Sequence, residues 1–182
     1  MKRRAPPRPA LPRYAVAWFP SFVGIEQVEA FRERHDPMAA LIPAHLTLVF
    51  PFATALTPLQ IGTHVRNVVS RWPPISTTFR RAEIRASEFV FLLAGRGAAS
   101  IVALHDRLYS RSLRHHLRPE FPYEAHITIA RNADAAALDA ALEQAQVELC
   151  RGFADTLREV ALLAVDRNGR IDRLDTFALH SA

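Results

Sequence analysis

Cysteine is nearly absent from this chain of 182 residues, since Cys150 is its single thiol. One cysteine excludes a disulfide within the chain and a zinc site built from a cysteine cluster. Such usage is typical of a reducing compartment, so we expect a cytoplasmic protein. Cys150 lies near the end of a predicted helix, where we expect a buried structural thiol.

Long apolar runs are also missing, because nowhere do 18 apolar residues follow one another. No transmembrane helix is therefore expected. Residues 1–13 are basic and rich in proline, a composition typical of a disordered tail. The apolar run 14–19 follows, but Pro12 and Pro20 bracket it and no clear small-residue cleavage site comes after it. We interpret the run as the first core strand and not as part of a signal peptide.

The chain also lacks an excess of acidic residues. Lys and Arg total 23 against 18 acids, which gives a net charge of +5 and a pI near 10.3. A positive surface favours anionic partners such as phosphates or nucleic acid, although such a charge is also common on other proteins. Hydrophobic residues make up 49% of the chain, enough for a sizeable core, and residues 14–182 fit one domain.

Apolar periodicity predicts strands and helices in alternation along this domain. Thr57-Pro58 indicates a helix start, with threonine as the cap and proline in the first turn. Asn168-Gly169 is a strong signal for a hairpin turn. The predicted strands are 14–19, 45–52, 75–84, 88–93, 126–130, 156–165 and 172–179, and the predicted helices are 25–34, 57–70, 98–114 and 134–149.

The order strand, helix, strand, helix, strand occurs twice. The first copy covers residues 14–84, the second covers 88–165, and the strand 172–179 closes the sheet. The second strand of each copy begins with a histidine. This order predicts a duplicated α+β domain with two pseudo-symmetric lobes.

Each of these two strands carries a His-x-Thr pattern. One reads His-Leu-Thr-Leu from His45, and the other reads His-Ile-Thr-Ile from His126. Because side chains alternate in a strand, His45 and Thr47 share one face, as do His126 and Thr128. Random placement of the 8 histidines and 9 threonines predicts roughly 0.4 matches, so two matches in equivalent positions exceed chance.

Two other interpretations of the pattern remain. The histidines could be polar strand residues that face solvent or are satisfied in the core. They could also bind zinc, but a catalytic zinc site takes about three protein ligands, and only Glu124 lies near enough in the sequence. It would share the face of His126 if that strand began two residues earlier.

Acid–base chemistry at phosphorus fits the residue types best. Displacement at phosphorus needs the entering and leaving oxygens roughly in line, with a base near the first and an acid near the second. Histidine suits both tasks because its ordinary pKa is about 6.5. Threonine hydroxyls can donate to the non-bridging oxygens, where charge grows in the transition state.

The two segments, Pro-Ala-His-Leu-Thr-Leu-Val-Phe around His45 and Phe-Pro-Tyr-Glu-Ala-His-Ile-Thr-Ile-Ala-Arg around His126, resemble the 2H phosphoesterase superfamily. The likeness is to its 2′-5′ RNA ligase and 2′,3′-cyclic phosphodiesterase branch. It implies a bilobal α+β fold, with antiparallel sheets lining a central cleft and helices outside. It further implies His45 and His126 as the acid–base pair, in unspecified order, and Thr47 and Thr128 as phosphate holders.

The resemblance also implies metal-free and cofactor-free opening of ribose 2′,3′-cyclic phosphates to 2′-phosphates, with reverse 2′-5′ joining of RNA ends. Arg131 matches a basic residue that often follows the second motif. Strict alternation points it away from His126, so a bulge or a strand end would be needed to bring it to the site, and the alternative is a surface arginine. Phe50 and Tyr123 could stack on a base or pack in the core. The continuation Val-Phe-Pro-Phe from Val49 departs from the Phe-Leu-Gly type of better-known ligase members.

The expected partners are RNA ends or cyclic-phosphate nucleotides, with no membrane and no obligate protein partner, and we expect a monomer. A non-catalytic module that binds nucleotides or RNA ends in the same cleft is the alternative. The patch of His115 and His116 with nearby arginines could steer RNA or be a solvated helix end. The remaining histidines show no partnered pattern and are expected on the surface: His35, His64, His105 and His180.

Overall fold

The computed structural model describes residues 11–180. Most of the predicted tail lies outside the described residues, and Arg13 already belongs to the first strand. Within the described range the strands are β1 (Arg13–Trp18), β2 (Leu46–Ala53), β3 (Ile75–Arg85), β4 (Phe89–Ala94), β5 (His126–Arg131), β6 (Phe153–Leu157), β7 (Glu159–Val165) and β8 (Ile171–Ala178). The helices are α1 (Ile25–His35), α2 (Pro58–Val69), α3 (Ala98–Leu108), α4 (Ala135–Glu148) and a 3₁₀ segment (Arg111–His116).

Local sequence signals set several of these boundaries. Thr57 caps α2 through a capping box with Gln60, and Pro58 occupies the first turn, as the sequence predicts. Asp134 caps α4 by accepting hydrogen bonds from the backbone N–H groups of Ala136 and Ala137. Both helix starts are therefore confirmed.

The strands form two antiparallel four-stranded sheets. The first sheet has the order β2-β1-β7-β8, and the second has the order β5-β4-β3-β6. Helices α2 and α3 pack on the first sheet, while α1 and α4 pack on the second. The predicted α+β class, with antiparallel sheets and outer helices, is confirmed.

The sheets do not follow the division of the sequence into two copies. Strand β3 closes the first copy but pairs with β4 and β6 in the second sheet. The predicted single strand 156–165 is wrong, because the chain forms β6 in the second sheet and then β7 in the first. The chain crosses at Arg158, whose carbonyl accepts a hydrogen bond from the backbone of Leu179. Arg158 and Glu159 interrupt the apolar pattern at this point, but two charged residues alone do not indicate a change of sheet.

Two further expectations need correction. The predicted helix 98–114 ends at Leu108, and a 3₁₀ turn begins at Arg111, whose φ of 50° interrupts the right-handed helix. Cys150 is exposed and not buried. It follows α4, and Leu149 already fills the buried position at that helix end.

The main core fills the space between the sheets and their helices. A second, smaller cluster lies on the other side of the first sheet, where Ala15, Ala17 and Ala161 leave room for Ile42 of the segment before β2. This segment ends at His45. Among residues 11–180, no helix is long and apolar enough to span a membrane.

Candidate active site

His45 and His126 are held in the same way. The Nδ1 atom of His45 lies 2.8 Å from the carbonyl oxygen of Pro43, and Nδ1 of His126 lies 2.6 Å from that of Glu124. In each case the carbonyl belongs to the second residue before the histidine. A carbonyl oxygen can only accept, so Nδ1 carries the hydrogen and Nε2 is left with its lone pair. Both rings therefore leave the same nitrogen, Nε2, without a hydrogen.

Burial shifts both imidazoles in the same direction. Desolvation lowers the pKa of His45 and of His126 to about 4, and the two carbonyl partners only partly oppose it. The positive charge of Arg32 also lowers the pKa of His45, and that of Arg85 lowers the pKa of His126. The charge of protonated His126 also lowers the pKa of His45.

The two motifs meet at the junction of the sheets. Strand β2 is the edge of the first sheet, β5 is the edge of the second, and the two strands contact each other. The hydroxyl of Tyr123 donates a 2.9 Å hydrogen bond to the carbonyl of Thr47 and so joins the approach to β5 directly to β2. The structure thus brings His45, Thr47, His126 and Thr128 to one junction, with all four side chains half-buried.

Both motif strands contain a bulge at the third residue after the histidine. In β2, Val49 pairs with Val16 and Thr47 pairs with Ala17, so Leu48 has no partner. In β5, the partners of Val90 and Phe91 are residues 130 and 128, so residue 129 has none. In each strand the bulged residue and the next one are both buried. A bulge shifts the alternation by one, which turns the fifth residue after each histidine to the histidine's face.

For the second motif this residue is Arg131. It pairs with Phe89, and its Cζ lies 5.0 Å from the centre of the Phe89 ring. Phe91, on the same face, stacks on His126 with 3.5 Å between ring centres. The bulge therefore places Arg131 on the face of His126 and Thr128, where strict alternation alone would not put it. Its buried Nε atom has no protein partner among the described residues.

For the first motif the corresponding residue is Phe50, which is half-buried. Its ring meets Tyr123 edge-on at 6.2 Å between centres. Tyr123 lies flat on His105, with 3.6 Å between centres and 5° between planes. Burial raises the pKa of Tyr123, and its hydroxyl is already bound to Thr47. Tyr123 therefore connects the approach to β5 with β2, and His105 covers one face of its ring.

Two histidines expected on the surface are buried. His105 is 2% exposed and donates from Nδ1 to the carbonyl of Leu48, and His64 is 8% exposed and bonds the carbonyl of Leu108. A sequence signal was available, since both continue the apolar stripes of their helices. His105 lies one residue after Leu104 and four after Ile101. His35 is half-buried and His180 is exposed.

A buried ion-pair network sets the segment before His45, and sequence reasoning missed it. Arg32 is 1% exposed and binds Glu29 at 3.0 Å and Asp36 at 3.1 Å. The other oxygen of Glu29 accepts a 2.6 Å hydrogen bond from the backbone of Ala44. The network thereby fixes the residue next to the first histidine.

Glu124, the candidate metal ligand, forms an ion pair with the guanidinium of Arg85. Its Oε2 atom lies 2.7 Å from Nε of Arg85, and Arg85 also contacts Glu83. Within residues 11–180, no three His, Cys, Asp or Glu side chains converge in a metal-binding group. In the basic patch, His116 packs on Phe52, with 4.6 Å between ring centres.

Comparison with known sequences identifies relatives along most of the chain. The family model described as "2'-5' RNA ligase superfamily" matches residues 20–169. A Geobacillus thermodenitrificans protein named "Putative phosphoesterase" is 28% identical over 170 residues, covering 92% of this chain and 96% of that protein. A Bacillus pumilus protein of the same name is 31% identical over 121 residues, covering 65% of this chain and 70% of that protein.

Solved structures share the fold. Escherichia coli LigT in its apo form superposes with a TM-score of 0.63 at 21% identity, covering 93% of this chain and 98% of LigT. LigT has also been crystallised with 3′-AMP, where the TM-score is 0.62 at 20% identity, covering 93% of this chain and 99% of LigT. The TT0787 protein of Thermus thermophilus gives a TM-score of 0.63 at 16% identity, covering 92% of this chain and 97% of that one. At these identities the likeness concerns the fold.

Proposed function

The chain belongs to the 2′-5′ RNA ligase superfamily, and from this membership we propose that it is a metal-independent phosphoesterase. The proposed reaction opens the 2′,3′-cyclic phosphate of an RNA end or nucleotide to a 2′-phosphate. The observation that carries the proposal is the matched pair of His-x-Thr motifs. Each presents a free Nε2 beside a threonine at the junction of the two sheets.

The proposed chemistry needs one base and one acid. One imidazole, through Nε2, takes a proton from water as the water oxygen bonds to phosphorus. The P–O3′ bond breaks, and the second imidazole, protonated on Nε2, gives its proton to O3′. Thr47 and Thr128 donate hydrogen bonds to the non-bridging oxygens. The scheme calls for no metal, and either histidine can take either role.

The lowered pKa values make substrate binding part of the mechanism. With pKa values of about 4, both imidazoles of the empty site are neutral near pH 7. A neutral pair supplies the base but lacks the acid. A bound phosphate favours the charged form of a neighbouring imidazole and raises its pKa. We therefore infer that one histidine takes up a proton when the phosphate binds.

The two motifs differ at the fifth residue after the histidine, which is Phe50 in the first motif and Arg131 in the second. Arg131 lies on the face of His126 and Thr128, where its guanidinium can bind a phosphate oxygen. Phe50 offers an aromatic ring near His105 and Tyr123, where a base could stack. LigT structures with 3′-AMP and with ATP support a nucleotide as the ligand class. Reverse joining of RNA ends through a 2′-5′ linkage uses the same groups.

Hydrolysis of 2′,3′-cyclic AMP in the presence of EDTA tests the proposal, with products resolved as 2′- or 3′-phosphates. We expect the 2′-phosphate. His45→Ala and His126→Ala should each lower kcat on the order of 10²–10⁴-fold, because each removes a positioned acid or base. The double variant should be little worse than either single one, since the pair acts as a unit.

The matched control is His180→Ala, which removes an exposed histidine. Undiminished turnover in both single variants would refute the mechanism. Tight nucleotide binding by the unmodified protein without any product over hours would instead identify a binding module.

A further inference from the structure

The first sheet carries an arginine that the proposed mechanism does not use. The Cζ atom of Arg173, in β8, lies 4.6 Å from the centre of the Phe19 ring. The same ring lies 5.9 Å, centre to centre, from the imidazole of His45. A single aromatic ring therefore separates this guanidinium from a proposed catalytic histidine.

Strand register places Arg173 on the face of the first sheet that carries His45 and Thr47. Ala15 pairs with Leu163, and Leu163 pairs with Arg173, so these three side chains point to one face. Ala17, two residues after Ala15, points to the same face and pairs with Thr47. Arg173 and Thr47 thus lie on the same side of the first sheet.

The guanidinium of Arg173 is available to a ligand. The residue is exposed, and none of the ion pairs formed among residues 11–180 includes it. The nearby Asp175 is 3.5 Å from Arg66. An arginine stacked on an aromatic ring keeps its edge N–H groups free, in the planar fork that matches two phosphate oxygens.

The second sheet has a corresponding pair. Arg131 stacks on Phe89, next to the Phe91 ring that contacts His126. Each sheet therefore carries an arginine stacked on a phenylalanine: one ring, Phe19, separates Arg173 from His45, and two rings, Phe89 and Phe91, separate Arg131 from His126. Cations that follow the backbone, with aromatic rings between them, are the usual means of binding single-stranded nucleic acid.

We propose that Arg173, stacked on Phe19, binds the phosphate of the nucleotide next to the one that reacts. The preferred substrate is then the end of an oligonucleotide and not a free cyclic mononucleotide. This inference rests on the proposed function, because the motif residues themselves hold the reacting phosphate. The phosphate bound by Arg173, which the Phe19 ring separates from His45, is then the phosphodiester that links the next nucleotide.

Two substrates separate this subsite from the catalytic centre. We would measure kcat/KM for 2′,3′-cyclic AMP and for a tri-adenylate that ends in a 2′,3′-cyclic phosphate. The proteins are the unmodified chain, Arg173→Gln, and the control Arg170→Gln, which removes the same charge from the turn of the same hairpin. Thermal melts check that all three proteins are folded.

We expect Arg173→Gln to lower kcat/KM for the tri-adenylate about five- to tenfold and to leave cyclic AMP within about twofold. The slope of log KM against log salt for the tri-adenylate should fall by about 0.7, the value for one phosphate contact on a single strand. Arg170→Gln should match the unmodified protein. Equal rates for the two variants on the tri-adenylate, or an equal loss on both substrates, would overturn the subsite.

A binding measurement keeps the subsite testable if the proposed reaction itself fails. Should the unmodified protein open neither substrate, the proposed function is wrong. Fluorescence anisotropy with a 5′-labelled tri-adenylate carrying a terminal 2′-phosphate then decides the subsite alone. Weaker binding by Arg173→Gln than by Arg170→Gln supports it, and equal binding contradicts it.

Discussion

At the scale of single residues, the orientation of an imidazole depends on a local hydrogen bond. His45 and His126 each donate from Nδ1 to a carbonyl two residues earlier, so a short stretch of backbone selects the tautomer. Burial then lowers both pKa values to about 4. Both imidazoles of the free protein are therefore neutral near pH 7, and the proposed acid forms only when a bound anion raises the pKa of one of them.

Ligand binding should accordingly be coupled to proton uptake. At pH 6 both histidines of the free protein are mostly neutral, and a bound phosphate raises their pKa. We expect 3′,5′-cyclic AMP, whose phosphodiester stays a monoanion at this pH, to bind with uptake of up to about one proton. Calorimetry at one pH, in buffers of different ionisation enthalpy, measures this number. His45→Gln should reduce it, whereas a value of zero for the unmodified protein would contradict the proposed acid.

At the scale of strands and helices, side chains satisfy the free edge of β2. Tyr123 donates to the carbonyl of Thr47, His105 donates to that of Leu48, and Tyr109 accepts from the backbone N–H of Phe50. These contacts attach β2 to α3 and to the approach to β5. They protect an edge strand and set the placement of the first motif relative to the second.

Tyr123→Phe should lower activity more than it lowers stability. The substitution removes the hydroxyl that joins the two motifs and leaves the stack on His105 in place. We expect a loss of about 1 kcal/mol in the free energy of unfolding. We expect about a tenfold loss in kcat, because small displacements of reacting groups are costly.

Tyr109→Phe is the matched control for this variant. It removes a hydroxyl bonded to the same strand, at Phe50, but does not touch the approach to β5. Denaturant melts and cyclic AMP hydrolysis compare the two proteins. Equal activity losses in both variants would show that the tie between the motifs has no special role.

At the scale of the whole molecule, the site lies where two sheets meet and not within either one. Each sheet combines strands from both halves of the chain, because β3 joins the second sheet and β7 joins the first. This assembly half-buries the two histidines and removes them from most of the solvent. Their lowered pKa values therefore couple protonation of the site to the folding of the domain.

Acidification should destabilise the fold through the same histidines. Their pKa is lower in the folded protein, about 4, than the ordinary value of 6.5, so the unfolded chain binds more protons between these limits. Stability is then complete above pH 6.5 and falls toward pH 4. The loss is up to about 3 kcal/mol per histidine, reduced by solvent access to the half-buried rings.

Urea midpoints between pH 7 and pH 4.5 measure this dependence. The double variant with His45→Gln and His126→Gln should show a flatter profile than the unmodified protein. A double variant with His115→Gln and His180→Gln, both exposed, should keep the original slope. Identical profiles for the two double variants would contradict the assigned shifts.

Much of the fold and of the motif pattern could be predicted from short-range features. The cap at Thr57, the turn at Asn168 and the alternation around His45 and His126 all depend on residues within a few positions of each other. Because these interactions involve residues close together in the chain, the sequence predicts the helices, the strands and the face that each histidine shares with its threonine. The burial of His105 was accessible in the same way, from its helical stripe.

Other features depend on residues far apart in the chain. The bulges that turn Phe50 and Arg131 to the faces of their histidines follow from pairing with β1 and β4. The division of the predicted strand at Arg158 follows from the pairing of its first part in the second sheet and of its second part in the first sheet. These pairings are selected by packing and burial over the whole domain, which no local pattern encodes. The sequence thus specifies the chemical groups and their local orientation. Long-range packing specifies which edges meet and which additional side chains join them.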